Sequence, residues 1–209
     1  MADATKLKHP LLWSLCAVLC LAIAVFSYRY LLMLGPLADN VMANAFARPW
    51  LDLHVAGAAT ALLVGSFQFL PGIRRDRRGV HRWLGRLYVV GCLVGGVAGL
   101  VLADGSSAGP VATAGFGSLA LLWLFTTVMA WRAARRRHHA RHRAWMIRSF
   151  SLTLAAVTLR LYLPLLALLP FGFLDGYRAI SFLCWVPNIL VAEWVLRAER
   201  GRDAGHAAA

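Results

Sequence analysis

Long apolar stretches separated by short polar connections dominate the chain. A helix that crosses the hydrocarbon core of a bilayer needs about 20 largely apolar residues. Six segments meet that length, and they span residues 11–34, 51–71, 80–103, 111–131, 144–169 and 177–196. The connections carry Gly and Pro, which favour turns. The pattern predicts a single all-α domain, residues 1–209, that is an integral membrane bundle of six transmembrane helices.

Composition supports a membrane location. Hydrophobic residues make up 60% of the 209 residues and charged residues 15%, against about 45–50% and about 25% in soluble domains. The formal net charge is +13, but the basic residues lie in short blocks between apolar runs. We therefore interpret the charge as a topology signal and expect the lipid bilayer, and no nucleic acid, as the partner.

The Lys and Arg residues also predict an orientation. Sixteen of them fall on one side of the predicted bundle, against Arg48 and Arg178 on the other, so both termini are expected to be cytoplasmic. Residues 132–143 are predicted to form a basic cytoplasmic loop, and residues 198–209 a flexible C-terminal tail. A cleaved signal peptide is the alternative for the first segment. Its apolar stretch is longer than a signal core, which favours a retained helix.

Two of the basic connections share a sequence pattern. Each is an Arg-rich stretch followed by His-Arg, an aromatic residue and a further Arg that enters the next helix. The two copies are His81-Arg82-Trp83-Leu84-Gly85-Arg86 and His142-Arg143-Ala144-Trp145-Met146-Ile147-Arg148. The pattern predicts that helices 2–3 and 4–5 are parallel hairpin repeats related by an axis along the membrane normal. Such symmetry would place His81 and His142 at equal depth.

Several polar side chains lie inside the apolar segments, where they are costly and usually pair or line a cavity. Arg160 lies about 27 Å beyond His142 along a helix, where it can instead snorkel to the opposite surface. Glu193 has Arg197 at i+4, which predicts a helix-surface ion pair. Asn188 follows Pro187, where it can satisfy freed backbone groups. The candidate intramembrane polar residues are His54, Gln68, Arg160, Asn188 and Glu193.

Three stretches carry a family resemblance. They are GSFQFLPGIRRDRRGVHRWLGRLY, ARHRAWMIRSFSLTLAAVTLRLYLP and CWVPNILVAEW. Together they resemble the bacterial membrane family catalogued as domain of unknown function 2306, over roughly residues 54–196. The resemblance implies a multi-span helical protein of the bacterial inner membrane whose biochemical role is unassigned. More distantly, histidines at matched depth in adjacent hairpins resemble the di-haem cytochrome b superfamily of membrane electron carriers.

One hypothesis is therefore redox. A haem b would lie between the third and fifth helices, with His81 and His142 as its axial metal ligands, because low-spin haem needs two strong donors that face each other. Gly85 would admit the macrocycle, and Arg86 and Arg148 would neutralise the propionates. The expected redox partners are quinone or another redox protein.

Two other interpretations stay open. The chain is alternatively a non-redox membrane transporter, channel or assembly factor with a buried His/Arg polar network, since an excess of Arg suits anions better than iron. In the third interpretation the histidines anchor helix ends in the headgroup region. The sequence contains no GxSxG, HExxH or P-loop pattern and only nine acidic residues, so no enzyme class is assigned.

Overall fold

The computed structural model describes residues 10–35, 37–166, 168, 170 and 172–207. Within these ranges the chain is helical and contains no strand. The α-helices are α1 (Pro10–Tyr28), α2 (Asp39–Met42), α3 (Ala47–Gly65), α4 (Pro71–Arg75), α5 (Arg78–Asp104), α6 (Pro110–Arg135), α7 (His139–Thr153), α8 (Ala155–Leu166), α9 (Phe173–Leu183) and α10 (Val186–Ala207), and a 3₁₀ helix follows α3 at Ser66–Phe69.

Six helical segments are long and apolar enough to cross a membrane, which confirms the predicted number. They are Leu11–Tyr28, Ala47–Phe69, Arg78–Asp104, Pro110–Arg135, His139–Leu166 and Phe173–Gly201. Their connections are short, so successive spans run in opposite directions. We call the end of the bundle that carries α4 and the α6–α7 turn the basic end. The hairpin-repeat relationship between the spans stays a prediction.

The observed boundaries differ from the predicted ones mainly at polar residues. The first span ends at Tyr28, and turns follow it where the hydropathy pattern predicted helix to residue 34. The predicted loop 132–143 is mostly helical, because α6 extends to Arg135 and α7 begins at His139. Residues 198–207, predicted as a tail, continue α10. Residues 1–9, 36, 167, 169, 171, 208 and 209, where parts of the predicted elements fall, lie outside the described residues.

The closest packing in the bundle joins α3 and α5 through glycines. A Cβ atom on Gly57 would lie 2.5 Å from the backbone nitrogen of Gly95, and one on Gly95 would lie 2.8 Å from that of Ala58. Only residues without side chains allow two membrane helices to approach so closely. The small residues Gly57, Ala58 and Gly95 on this face therefore allow the close packing of α3 against α5.

A buried cluster of hydroxyl groups ties α5, α6 and α7 together near mid-depth. The Tyr88 hydroxyl lies 2.9 Å from Ser149 Oγ and 2.8 Å from Thr153 Oγ1. Thr127 Oγ1 lies 2.7 Å from Ser149 Oγ, and the Trp123 indole donates to Thr153 Oγ1 at 2.9 Å. Each polar atom has a partner inside the bundle, as the absence of water requires.

The last two spans each contain one short turn. In span five it is at Leu154, between α7 and α8, and in span six it lies between Leu183 and Val186. The backbone at Leu154 and Cys184 keeps helical dihedral angles, so each span continues through its turn. Asn188 joins the two spans: its Nδ2 donates to Thr158 Oγ1 at 3.0 Å and to the Cys184 carbonyl at 3.1 Å. Asn188 thus bonds to a backbone carbonyl one turn before it, and the prediction that it satisfies groups freed by Pro187, which would be the Leu183 carbonyl, stays a prediction.

Candidate functional site

His81 lies in the first turn of α5 and is held by Gln68 from the 3₁₀ helix. The Gln68 carboxamide forms hydrogen bonds through both its nitrogen and its oxygen in only one of its two orientations. In that orientation the nitrogen donates to His81 Nδ1 at 2.9 Å and to the His81 carbonyl at 3.3 Å. The amide oxygen then accepts from the Gly85 N–H at 3.1 Å. Because His81 Nδ1 is an acceptor here, the neutral ring carries its proton on Nε2.

His142 occupies the corresponding position in the first turn of α7. Its Nδ1 lies 2.9 Å from the Ala130 carbonyl, which can only accept, so this nitrogen carries the proton and Nε2 keeps a lone pair. His142 and His81 are near enough for their charges to interact. The structure therefore places the two predicted histidines in one layer, at the basic end.

Positive charge is concentrated around this layer. Burial lowers the pKa of the Arg74 guanidinium on α4, and the positive charges of Arg75 and Arg143 lower it further. Arg74 also acts electrostatically on His81. The two Arg-rich connections that were recognised in the sequence therefore meet in space.

Arg86 and Arg148, which were predicted to neutralise the haem propionates, contact other groups in the structure. Arg148 Nε donates to Glu193 at 2.5 Å and its NH2 group to the same carboxylate at 3.0 Å. Arg86 lies over the Trp83 ring, 5.3 Å from the centroid. The Glu193 carboxylate thus hydrogen-bonds to Arg148 on another helix, and Arg197 at i+4 acts on it through its charge. Helix rotation, which periodicity does not give, selects the partner.

A hydrogen bond joins α5 and α7 further into the bundle than the two histidines. Tyr88 and Ser149 each follow their histidine by seven residues, about 10 Å along the helix, and their oxygens are in direct contact at 2.9 Å. The Nδ1 atom of each histidine has a hydrogen-bond partner, which is Gln68 for His81 and the Ala130 carbonyl for His142. Haem ligation by His81 and His142 stays a prediction.

A second polar site, which we call the Arg160 site, lies in the half of the bundle away from the basic end. Arg160 NH1 donates to the Ala156 carbonyl at 3.0 Å, and NH2 donates to Ser27 Oγ of α1 at 2.8 Å. Ser27 is 5% exposed and donates in turn to the Ile23 carbonyl. Arg160 therefore turns into the bundle instead of snorkelling, and its described contacts are all with neutral groups.

Four further polar side chains lie within electrostatic range of Arg160. Arg29 and Tyr30, on the segment that follows α1, and Tyr177 on α9 are near enough to interact with it electrostatically. His54 on α3 is also within electrostatic range of Arg160. Its Nδ1 lies 2.8 Å from the Gly95 carbonyl, which leaves Nε2 with a lone pair. The site thus collects two guanidinium groups and an imidazole, and the charged groups that act on Arg160 include no carboxylate.

Sequence reasoning identified Arg160 and His54 at this site but missed Ser27. A lone serine in a helix of lipid-facing character resembles many that only bond to their own backbone. Its signal is weak: Ser27 precedes Tyr28-Arg29-Tyr30, an unusual cluster of polar-tipped residues at the end of an apolar span.

The bundle and its buried polar sites define a polytopic membrane protein. Residues 51–196 match the family described as "Predicted membrane protein (DUF2306)", and the chain belongs to that family. No curated protein and no solved structure matches the chain.

Proposed function

We propose that this protein is a non-redox membrane transporter for a small inorganic or carboxylate anion, and that the Arg160 site binds the anion. The observation that carries the proposal is a half-buried intramembrane arginine whose described contacts are the Ala156 carbonyl and the Ser27 hydroxyl. An arginine inside a bilayer costs about 2.5–3.5 kcal/mol on insertion scales, and such residues mark substrate or ion pathways. An anion would offset that cost.

The surroundings of Arg160 support an anion over a cation. Arg29 and His54 add positive or protonatable groups. The tyrosine side chains of Tyr30 and Tyr177 bring hydroxyl donors close by. Arg48, nearer the surface of the same half, is already neutralised by Asp52 at 2.9 Å. The Arg160 guanidinium, by contrast, donates to neutral groups only among its described contacts.

The Arg160 site lies close to a second polar contact between spans five and six. Thr158, which accepts a hydrogen bond from Asn188 at 3.0 Å, lies two residues before Arg160. Polar side chains inside the bilayer are typical of substrate and ion pathways. The charge rule predicts that the basic end is cytoplasmic, so Arg160 would lie in the outer half of the membrane.

Anion binding by the purified protein tests the site. Replacing gluconate by chloride, nitrate, acetate or phosphate at constant ionic strength is expected to raise the Tm of the wild type for at least one anion. Arg160→Gln should lose that shift, and the matched control Arg48→Gln should keep it. Ser27→Ala removes the neutral partner that an anion must displace, so apparent affinity should rise about 2- to 10-fold, the worth of one hydrogen bond. Equal Tm values in all anions for the wild type would overturn the proposal.

The same preparation separates this proposal from the redox hypothesis. Haem coordination by His81 and His142 predicts a b-type band in the reduced-minus-oxidised spectrum that is lost in His81→Ala and His142→Ala. The anion proposal predicts a colourless protein from haem-replete cells.

A further inference from the structure

The two His-Arg segments at the basic end differ in what neutralises their arginines. On α7, Arg143 forms two hydrogen bonds with Glu199, at 2.5 and 2.8 Å. Arg148 binds Glu193 in the same two-pronged way and lies over the Trp145 ring, 4.7 Å from its centroid. Both glutamates belong to α10. This helix therefore supplies the counter-charges for the second segment.

The first segment has the same cations without such a helix. Arg82 follows His81 directly, and Arg86 lies over Trp83 as Arg148 lies over Trp145. Both arginines are exposed. Within the part of the chain that the structure describes, neither contacts a carboxylate. The face of α7 that carries Arg143 and Arg148 packs against α10. The corresponding face of α5, which carries Arg82 and Arg86, is exposed.

An exposed apolar stripe continues from this pair of arginines into the membrane. Its residues are spaced by three or four along α5, so they share one face. They are Trp83 at 70% exposure, Leu87 at 45%, Val90 at 57%, Val94 at 38% and Val97 at 50%. Tryptophan is typical of the membrane–water interface. The face therefore presents cations at headgroup level and an apolar wall below them.

We infer that an anionic phospholipid binds to this face of α5, with its phosphate on Arg82 and Arg86 and an acyl chain along the Leu87–Val97 stripe. The lipid phosphate would neutralise Arg82 and Arg86, as the carboxylates of Glu193 and Glu199 neutralise the arginines of α7. A soluble anion uses only the cations, whereas a diacyl lipid uses both the cations and the apolar wall. This inference is independent of the Arg160 site, which lies in the other half of the bundle.

Native mass spectrometry of the purified full chain tests the inference. The protein is released from a neutral detergent that contains equal amounts of phosphatidylglycerol and phosphatidylcholine. The wild type should retain one phosphatidylglycerol preferentially. Each arginine near an anionic surface contributes about 5-fold in affinity, so the double substitution Arg82→Gln/Arg86→Gln should weaken retention about 25-fold. The matched control Arg136→Gln/Arg141→Gln removes two exposed charges from the same end and should keep the lipid.

Two more variants and one competitor complete the test. Arg82→Lys/Arg86→Lys keeps the charge and should retain the lipid, which separates loss of binding from loss of folding. Inorganic phosphate at the same concentration should not displace the lipid. Equal loss in both glutamine double variants would show attraction by net charge alone and overturn the inference. Displacement by phosphate, or equal retention of phosphatidylcholine, would also overturn it.

Discussion

At the residue scale, the arginines of the bundle divide by the groups that neutralise them. Arg48, Arg143, Arg148 and Arg178 each contact a carboxylate. Arg160 donates to a carbonyl and a hydroxyl, which leave its charge uncompensated. A buried charge normally pairs or changes its protonation, and a guanidinium does not lose its proton readily. Among these arginines, Arg160 is therefore the one at which a bound anion would supply the missing counter-charge.

The hydroxyl cluster gives a residue-scale prediction about stability. Tyr88 is fully buried, and its hydroxyl contacts Ser149 and Thr153. Tyr88→Phe removes both contacts, and interhelical hydrogen bonds in membranes average about 0.6 kcal/mol each. We expect a loss of about 1 kcal/mol in the free energy of unfolding, measured by denaturant titration in mixed micelles.

Tyr162→Phe is the matched control for this change. Tyr162 is partly buried at the edge of the core, and its hydroxyl has no hydrogen-bond partner among the described residues. Its substitution should change the free energy of unfolding by less than about 0.5 kcal/mol. Equal effects of the two substitutions would contradict a structural role for the cluster.

At the element scale, the contact between α3 and α5 is the most demanding in the bundle. Gly57→Ala would place a Cβ atom 2.5 Å from the backbone nitrogen of Gly95, and a backbone atom cannot move aside as a flexible side chain can. We expect the free energy of unfolding to fall by about 2–3 kcal/mol, within the range for overpacked cores.

Gly79→Ala provides the control on α5 itself. A Cβ atom there meets nothing within 4 Å, so the helix-forming preference of alanine should leave stability unchanged or raise it by about 0.5–1 kcal/mol. The same titration measures both variants. A neutral Gly57→Ala would show that α3 and α5 are not packed as described.

The elements themselves are predictable from hydropathy, but some of their interruptions are not. Span length and apolar composition give six helices, because a bilayer tolerates little else. Pro187 signals the turn between α9 and α10, since proline removes a backbone donor. The turn at Leu154 lies in a run with no Gly or Pro. It depends on packing, which periodicity does not describe.

The candidate site is less predictable than the elements for a similar reason. The sequence identifies which polar residues lie inside the membrane and their approximate depth, as for His54 and Arg160. Their partners depend on how each helix is rotated and which helices are neighbours. Gln68 with His81, Arg148 with Glu193 and Arg160 with Ser27 all join different helices. None of these three pairs follows from spacing along the chain.

At the scale of the whole molecule, polar chemistry is arranged in layers along the bundle. The basic end carries the paired and unpaired arginines with His81 and His142. The hydroxyl cluster around Tyr88 fills the middle, and the Arg160 site lies beyond it. Because the hydroxyl cluster joins α5, α6 and α7 between the two charged layers, the proposed anion transport predicts that these helices move relative to one another during passage.

Anion flux in proteoliposomes tests the central claim most directly. Vesicles that contain the full chain and a chloride-sensitive dye are exposed to gradients of chloride, nitrate, acetate or phosphate, the last two through exchange for internal chloride. Wild-type protein should move at least one anion faster than protein-free vesicles. Flux should fall at least about tenfold in Arg160→Gln, the loss expected for one charged contact of about 1.4 kcal/mol or more, and stay unchanged in Arg48→Gln. Flux of every anion at the protein-free level, or full flux in Arg160→Gln, would contradict the account.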